Sequence, residues 1–254
     1  MEAPIHKAYI RDEPHSKTVI LFIHGILGTP CHFADFIKRV PESISVHNIL
    51  LDGHGETFRE FSKSSVSQWK KTVFSKLSHL SEHYDNIIIV GHSLGTLLAI
   101  DAAPHFHEKI KQLFLIAVPL IISLKPNAVS NSLKVMLNRV RPCDKVAVAA
   151  KAACSIALTK NPLASVLSIP RYLELFSEAR RARSAISMLS QKTVVFQSGK
   201  DEIVSMKSCK HLSKNPNITV SVMPKSMHYY YDEAEYQEML KQFENTIAPF
   251  CAPI

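Results

Sequence analysis

Glycine is scarce, with seven in 254 residues against an average usage of ~7%, which excludes collagen-like and low-complexity chains. Charged residues (20%) are too few and apolar residues (46%) too many for an intrinsically disordered chain. The five cysteines, at 31, 143, 154, 209 and 251, are odd in number and make no C-x-x-C pair and no Cys/His set of zinc spacing. Reduced thiols and no metal are expected. The longest apolar run, residues 113–124, contains Pro119 and falls short of the ~20 residues that span a bilayer. The opening residues 1–7 carry an acid and a proline and lack the apolar stretch of a signal peptide. Together these absences point to a globular, cytoplasmic chain, and the length suits one domain of the larger sort.

What is present follows a regular alternation. Short β-branched or aliphatic runs occur at 18–23, 45–51, 86–90, 112–117, 193–197 and 217–223, with a weaker one at 5–10. Between them Val66, Trp69, Val73, Leu77 and Leu80 repeat at helical spacing, as do Tyr236, Met239, Leu240, Phe243 and Ile247. Trp69 is expected to pack in the core. Strand and helix in alternation predict an α/β protein with a mostly parallel sheet covered by helices on both faces.

One interval breaks the alternation. The roughly 75 residues between the strands ending near Ala117 and starting near Thr193 hold no convincing strand. Val129, Leu133, Met136, Leu137 and Val140 fit one amphipathic face, and Tyr172, Phe176, Ala179, Ile186 and Leu189 roughly another, with Pro126, Pro142, Pro162 and Pro170 near helix starts. The expected organisation is a core of residues 1–118 and 190–254 with a helical lid, 119–189, inserted between two late strands. Residues 119–185 hold 11 basic side chains, among them Lys160, against three acids, a net 11 − 3 = +8 that equals the charge of the whole chain. A basic segment attracts anionic lipid surfaces or acidic substrates, or is simply a solvated face; no nucleic-acid module is recognisable, so no nucleic acid is expected as a partner.

The residues that carry chemistry sit beside glycines, which fall at 25, 28, 53, 55, 91, 95 and 199. A chain so sparing should keep glycine where backbone geometry demands it. Gly91-His92-Ser93-Leu94-Gly95 follows a strand and precedes a helix, the context of a nucleophile elbow, where small residues two positions either side let strand and helix approach. An ordinary turn with an N-capping serine is the competing reading. Such a serine needs donors for the charge that develops on a carbonyl oxygen; the loop His24-Gly25-Ile26-Leu27-Gly28, again between strand and helix, offers backbone N–H groups.

The strand-H-G loop, the Asp52-Gly53-His54-Gly55 turn and the G-H-S-L-G elbow resemble an α/β-hydrolase of the carboxylesterase and monoacylglycerol-lipase type. The resemblance implies the α/β-hydrolase fold, no cofactor, and oxyanion donors at Ile26 and Leu94. It also implies the chain order Ser, acid, His. Of the histidines beyond Ser93, His105 and His107 end the helix behind it and His211 sits in a helical pattern, which leaves His228 as base. Asp201, in Gly199-Lys200-Asp201-Glu202, resembles the family's G-x-x-D loop; Glu202 and a plain turn role for Asp201 stand as alternatives. His24, His54 and His92 are expected to fix loops by hydrogen bonding, and Cys31 to be a buried, inert thiol. Thr96 replaces a glycine that many relatives carry, and the absence of a triple glycine resembles narrower sites for esters of primary or secondary alcohols. The expected function is hydrolysis of a small-molecule carboxylic ester through an acyl-enzyme, on short- to medium-chain or monoacylglycerol-like substrates, with the acyl chain against an apolar inner face of the lid. Thioesterase, amidase or acyltransferase chemistry and a non-catalytic binding protein are the alternatives.

Overall fold

The computed structural model describes residues 6–157 and 166–251; Lys160 and Pro162 therefore lie outside the described residues. Seven strands form one sheet in the order β1-β3-β2-β4-β5-β6-β7. They are β1 (Tyr9–Arg11), β2 (Thr18–Ile23), β3 (Ser45–Ile49), β4 (Asn86–His92), β5 (Ile110–Ile116), β6 (Lys192–Ser198) and β7 (Ile218–Met223). Only β1 runs antiparallel, against β3; β2 to β7 are parallel to one another. The weak candidate at 5–10 is thus a three-residue edge strand shifted toward Arg11.

A parallel strand is buried on both faces and so reads as an unbroken apolar run. In β2, Val19, Leu21 and Ile23 enter one core while Ile20 and Phe22 enter the other. β4 and β5 divide the same way, as period-2 alternation requires. Trp69, Val73, Leu77 and Leu80 of the helix Val66–His83 complete the first core. Phe36 and the helix Glu233–Ile247, with Met239, Leu240 and Phe243, complete the second.

The order of strands reverses direction at β2: the chain steps outward to β3, then crosses back to β4 on the other side. Open α/β sheets place their crevice at the carboxyl ends of the strands flanking such a reversal. β2 and β4 are in register there, Ile23 opposite Gly91, so the loops after them emerge side by side.

Between β5 and β6 the described chain forms the helices Pro126–Met136, Lys145–Ala153 and Ile169–Ala185. Leu175, Ala179 and Ala182 of the last of these, with Ile186 just after it, pack on the first core. Its buried Glu178 meets Lys70 (3.1 Å), which also holds Asp101 (2.8 Å), tying three helices together. Arg171 donates to the carbonyls of Ser62 and Ser64 and to Glu174. Several basic residues are therefore engaged within the protein. The apolar pattern is also corrected. Val129, Leu133 and Leu137 are 60%, 53% and 49% exposed, and Phe176 is exposed too, so the stripe read as an inner face points outward. Of the second stripe, Ala179, Ile186 and Leu189 are buried in the first core as expected, joined by Leu175 and by Ala182, a small residue that periodicity in large hydrophobics underweights.

Candidate functional site

Ser93 stands between β4 and the helix Leu94–Ala102 with φ 51° and ψ −117°. A non-glycine residue in that region is strained, and such strain persists only where the surroundings impose it. Here the imposition is Gly95. A Cβ at Gly95 would lie 2.0 Å from the Ile23 carbonyl oxygen, and one at Gly91 would lie 2.9 Å from the Gly95 backbone. Strand, turn and helix close only because both positions lack a side chain. Ser93 occupies the N-cap position, yet its side chain makes no capping hydrogen bond, unlike Thr57 and Ser65 at the starts of their helices. That removes the capping-serine alternative. Thr96 donates its hydroxyl to the Ser93 carbonyl at 2.6 Å and so braces the turn.

The loop after β2 lies against this turn: a Cβ at Gly25 would come within 3.0 Å of the Ser93 Cβ. Gly28 N–H donates to the Gly25 carbonyl (2.9 Å), and Leu27, at φ 57°, donates its N–H to His54 Nε2 (3.1 Å). His54 is held in turn at the Asp52 carbonyl. His24 donates from Nδ1 to the Gly25 carbonyl (2.8 Å) and accepts the Leu51 N–H at Nε2 (3.1 Å). Both ring nitrogens are used. Burial pulls the His24 pKa down to about 4 and holds His54 and His92 well below the ordinary value. These three rings are neutral struts of the loops. Among the described residues no acceptor meets the N–H of Ile26 or of Leu94; Leu94 opens its helix, where N–H groups have no partner inside the helix.

Asp201 and His228 come together from loops after β6 and β7. His228 Nδ1 lies 2.9 Å from Asp201 Oδ2, with both side chains almost wholly buried. The other oxygen, Oδ1, accepts the N–H groups of Ile203 and Val204, each at 2.8 Å, which fixes the carboxylate in the plane that meets the ring. Glu202, the competing acid, is buried as well but accepts the His228 backbone N–H (3.2 Å). His92 donates from Nε2 to the His228 carbonyl (3.2 Å), so the residue before Ser93 docks the His228 loop directly against the turn. Tyr229 packs on both rings, 5.1 Å from His92 and 4.7 Å from His228 between centroids. The Glu202 and His92 contacts to the His228 backbone bridge 26 and 136 residues; no local pattern announces them.

Burial alone would lower the His228 pKa. The charge and hydrogen bond of Asp201, with the charge of Glu202, outweigh it, and the pKa ends above the ordinary histidine value. With Nδ1 donating to Asp201, neutral His228 keeps its lone pair on Nε2. Any reaction that uses this lone pair requires the neutral ring, so its rate rises as pH passes up through the His228 pKa. Asp201→Asn removes the charge of Asp201 and weakens its hydrogen bond, leaving burial opposed only by the charge of Glu202. The acid limb of kcat/KM is therefore expected to move to lower pH while the plateau falls by ~10⁴. A pH profile of the purified variant checks both; an acid limb that stays in place would break the Asp201 assignment.

Cys31 is corrected: it is exposed, not buried, and none of the five cysteines forms a disulfide. The segment between β5 and β6 reaches this end of the sheet. Ser155 N–H donates to the Leu27 carbonyl (2.8 Å) and Lys125 N–H to that of Glu202 (2.8 Å).

The sequence model of the serine aminopeptidase S33 family matches residues 14–235. The chain belongs to that family. Its members are α/β-hydrolases, and the seven-stranded sheet agrees. No curated protein matches the chain by sequence. Among solved structures, one from the work on the two metagenome-derived lipolytic enzymes LipS and LipT aligns over 97% of this chain and 98% of its own at 17% identity, TM-score 0.71. A monoacylglycerol lipase of Paleococcus ferrophilus aligns over 95% and 99% at 17% identity, TM-score 0.66. An E-2-(acetamidomethylene)succinate hydrolase aligns over 95% and 94% at 16%, TM-score 0.64. At these identities the likeness is one of fold. S33 membership makes the protein a hydrolase by family, and among the described residues no helix is long and apolar enough to cross a membrane.

Proposed function

We propose that this S33-family protein hydrolyses carboxylic esters of small molecules through an acyl-enzyme on Ser93. The observation that carries the reading is the buried His228–Asp201 pair docked, through His92, against the strained turn that presents Ser93. Ser93 Oγ attacks the ester carbonyl carbon as His228 Nε2 takes its proton. The oxyanion is received by the Ile26 and Leu94 N–H groups, each such donor contributing ~3–4 kcal/mol. Collapse breaks the C–O bond, and His228 returns the proton to the leaving alcohol. Water, deprotonated by the same ring, then releases the acid and restores Ser93. Asp201 orients His228 and stabilises its imidazolium.

Residues 119–189 act in this proposal as a lid, since their backbone is anchored to the Leu27 loop and to Glu202 beside the reacting centre. Eleven of the large exposed hydrophobics, from Leu124 to Met188, fall in this segment together with its basic charge. A surface both apolar and basic favours the interface of an anionic lipid assembly, where a monoacylglycerol-like substrate resides. Amide hydrolysis is the second reading, favoured by the family's aminopeptidase description.

A p-nitrophenyl ester series from acetate to dodecanoate, run beside the matching anilides, is the test. The expected optimum lies at medium chains, with esters preferred. Activity confined to acetate would remove the lipid-like reading, and faster anilide turnover would replace esterase with amidase.

A further inference from the structure

The last turn of the helix Val66–His83 carries a group of side chains that ester hydrolysis does not use. His79, Glu82 and His83 are exposed there, and one ligand atom from each lies within 4.8 Å of the other two. The two imidazole centroids are 4.7 Å apart, edge to face. Helix geometry explains the convergence, because residues three and four apart are neighbours on one face. The sequence His79-Leu80-Ser81-Glu82-His83 is H-x-x-E-H, a spacing by which a helix offers two imidazoles to one divalent metal with a carboxylate between them. Leu80 is fully buried in the first core, which fixes the rotation of the helix and keeps 79, 82 and 83 turned to solvent together. The negative end of the helix dipole lies at this turn and favours a cation. Beside it is a recess of about 210 Å³ that His79 and His83 line with Asp12, Glu13 and His47.

We propose that His79, Glu82 and His83 form a surface site for a divalent ion of the zinc, nickel and copper class. Two imidazoles and a carboxylate suit these ions, whereas magnesium and calcium prefer all-oxygen sets. Three protein ligands leave a fourth position to water. The site is separate from the Ser93 chemistry. His83 precedes β4 and Ser93 follows it, so the seven residues of that strand, at ~3.3 Å each, stand between them. The metal acts as a clasp on the turn that leads through Tyr84 into the central strand, stabilising the folded chain by mass action.

Zinc chloride titrated by calorimetry into the metal-free protein, with thermal unfolding followed in parallel, tests this. One zinc per chain with a micromolar Kd and a raised Tm is expected, and magnesium chloride is expected to do nothing. His79→Ala and His83→Ala should each abolish this event, and Glu82→Gln should weaken it ~10-fold; being exposed, all three variants should keep the metal-free Tm and the esterase rate. The double variant His79→Ala/His83→Ala reports zinc taken up by thiols or other histidines. Absence of saturable binding at tenfold excess of zinc would overturn the site, as would an isotherm that survives in the double variant.

Discussion

Replacing Ser93 by alanine is expected to lower ester turnover by ~10⁴ to 10⁶-fold while leaving the unfolding midpoint unchanged. The second half of that statement comes from the geometry. Ser93 is buried at the start of the helix Leu94–Ala102 but makes no capping bond, so loss of its hydroxyl removes no stabilising contact of the kind worth ~1 kcal/mol elsewhere. Alanine keeps the Cβ and therefore keeps the strain of φ 51°. Ser93→Gly goes further: it should be equally inactive yet more stable by ~1 kcal/mol, because glycine occupies that region at no steric cost. Strain that is relieved only by losing activity is the signature expected of a residue held for chemistry. Initial rates with a p-nitrophenyl ester and urea denaturation of the three proteins provide the check. Near-normal turnover by folded Ser93→Ala would remove the proposed mechanism outright.

Gly95→Ala is expected to be the most damaging single-methyl addition in the chain. Its new Cβ would stand 2.0 Å from the Ile23 carbonyl oxygen, 2.7 Å from the Ile23 carbonyl carbon and 2.9 Å from the His24 carbonyl oxygen. All three are backbone atoms, so no rotamer change relieves the clash. Nor is β2 free to retreat: Ile23 pairs with Ile49 on one side and Gly91 on the other. Overpacking a core typically costs ~1–3 kcal/mol when side chains can adjust. With rigid backbone on both sides the cost should exceed ~3 kcal/mol, a large part of a total of ~5–15. Insoluble expression or a urea midpoint lowered by that equivalent is the anticipated outcome. A shift worth less than ~1 kcal/mol would mean that β2 and the elbow helix are not packed as described.

How far the sequence could be read depended on whether a feature is local. The parallel strands lie within a few residues of their apolar runs, because strands buried on both faces need continuous Val, Ile, Leu and Phe. The exception is β1, three residues with a half-exposed pattern, too short to show periodicity. Ser93, Asp201 and His228 stood out through glycine punctuation and chain order, and the structure brings Asp201 and His228 within 2.9 Å. Asp201 and Glu202 are told apart only by tertiary structure: adjacent acids differ in which atoms of His228 they meet, Nδ1 or the backbone N–H. Cys31 followed the average behaviour of its residue type and proved exposed.

Glycine shows the division most clearly. Only Gly53 and Gly55 take positive φ, while Leu27, Ser93, Ala117 and Asn138 adopt it without being glycine. Composition identified where the chain is exceptional, since a residue without Cβ is retained only where something forbids one. Whether the reason is a left-handed backbone or the closeness of a neighbouring strand depends on atoms far away in sequence. The amphipathic period of the segment between β5 and β6 was likewise fixed by the chain alone. Which side of those helices faces inward was set by Lys70, Asp101 and the small residues of the helix Ile169–Ala185, because periodicity defines a face and only packing chooses its partner.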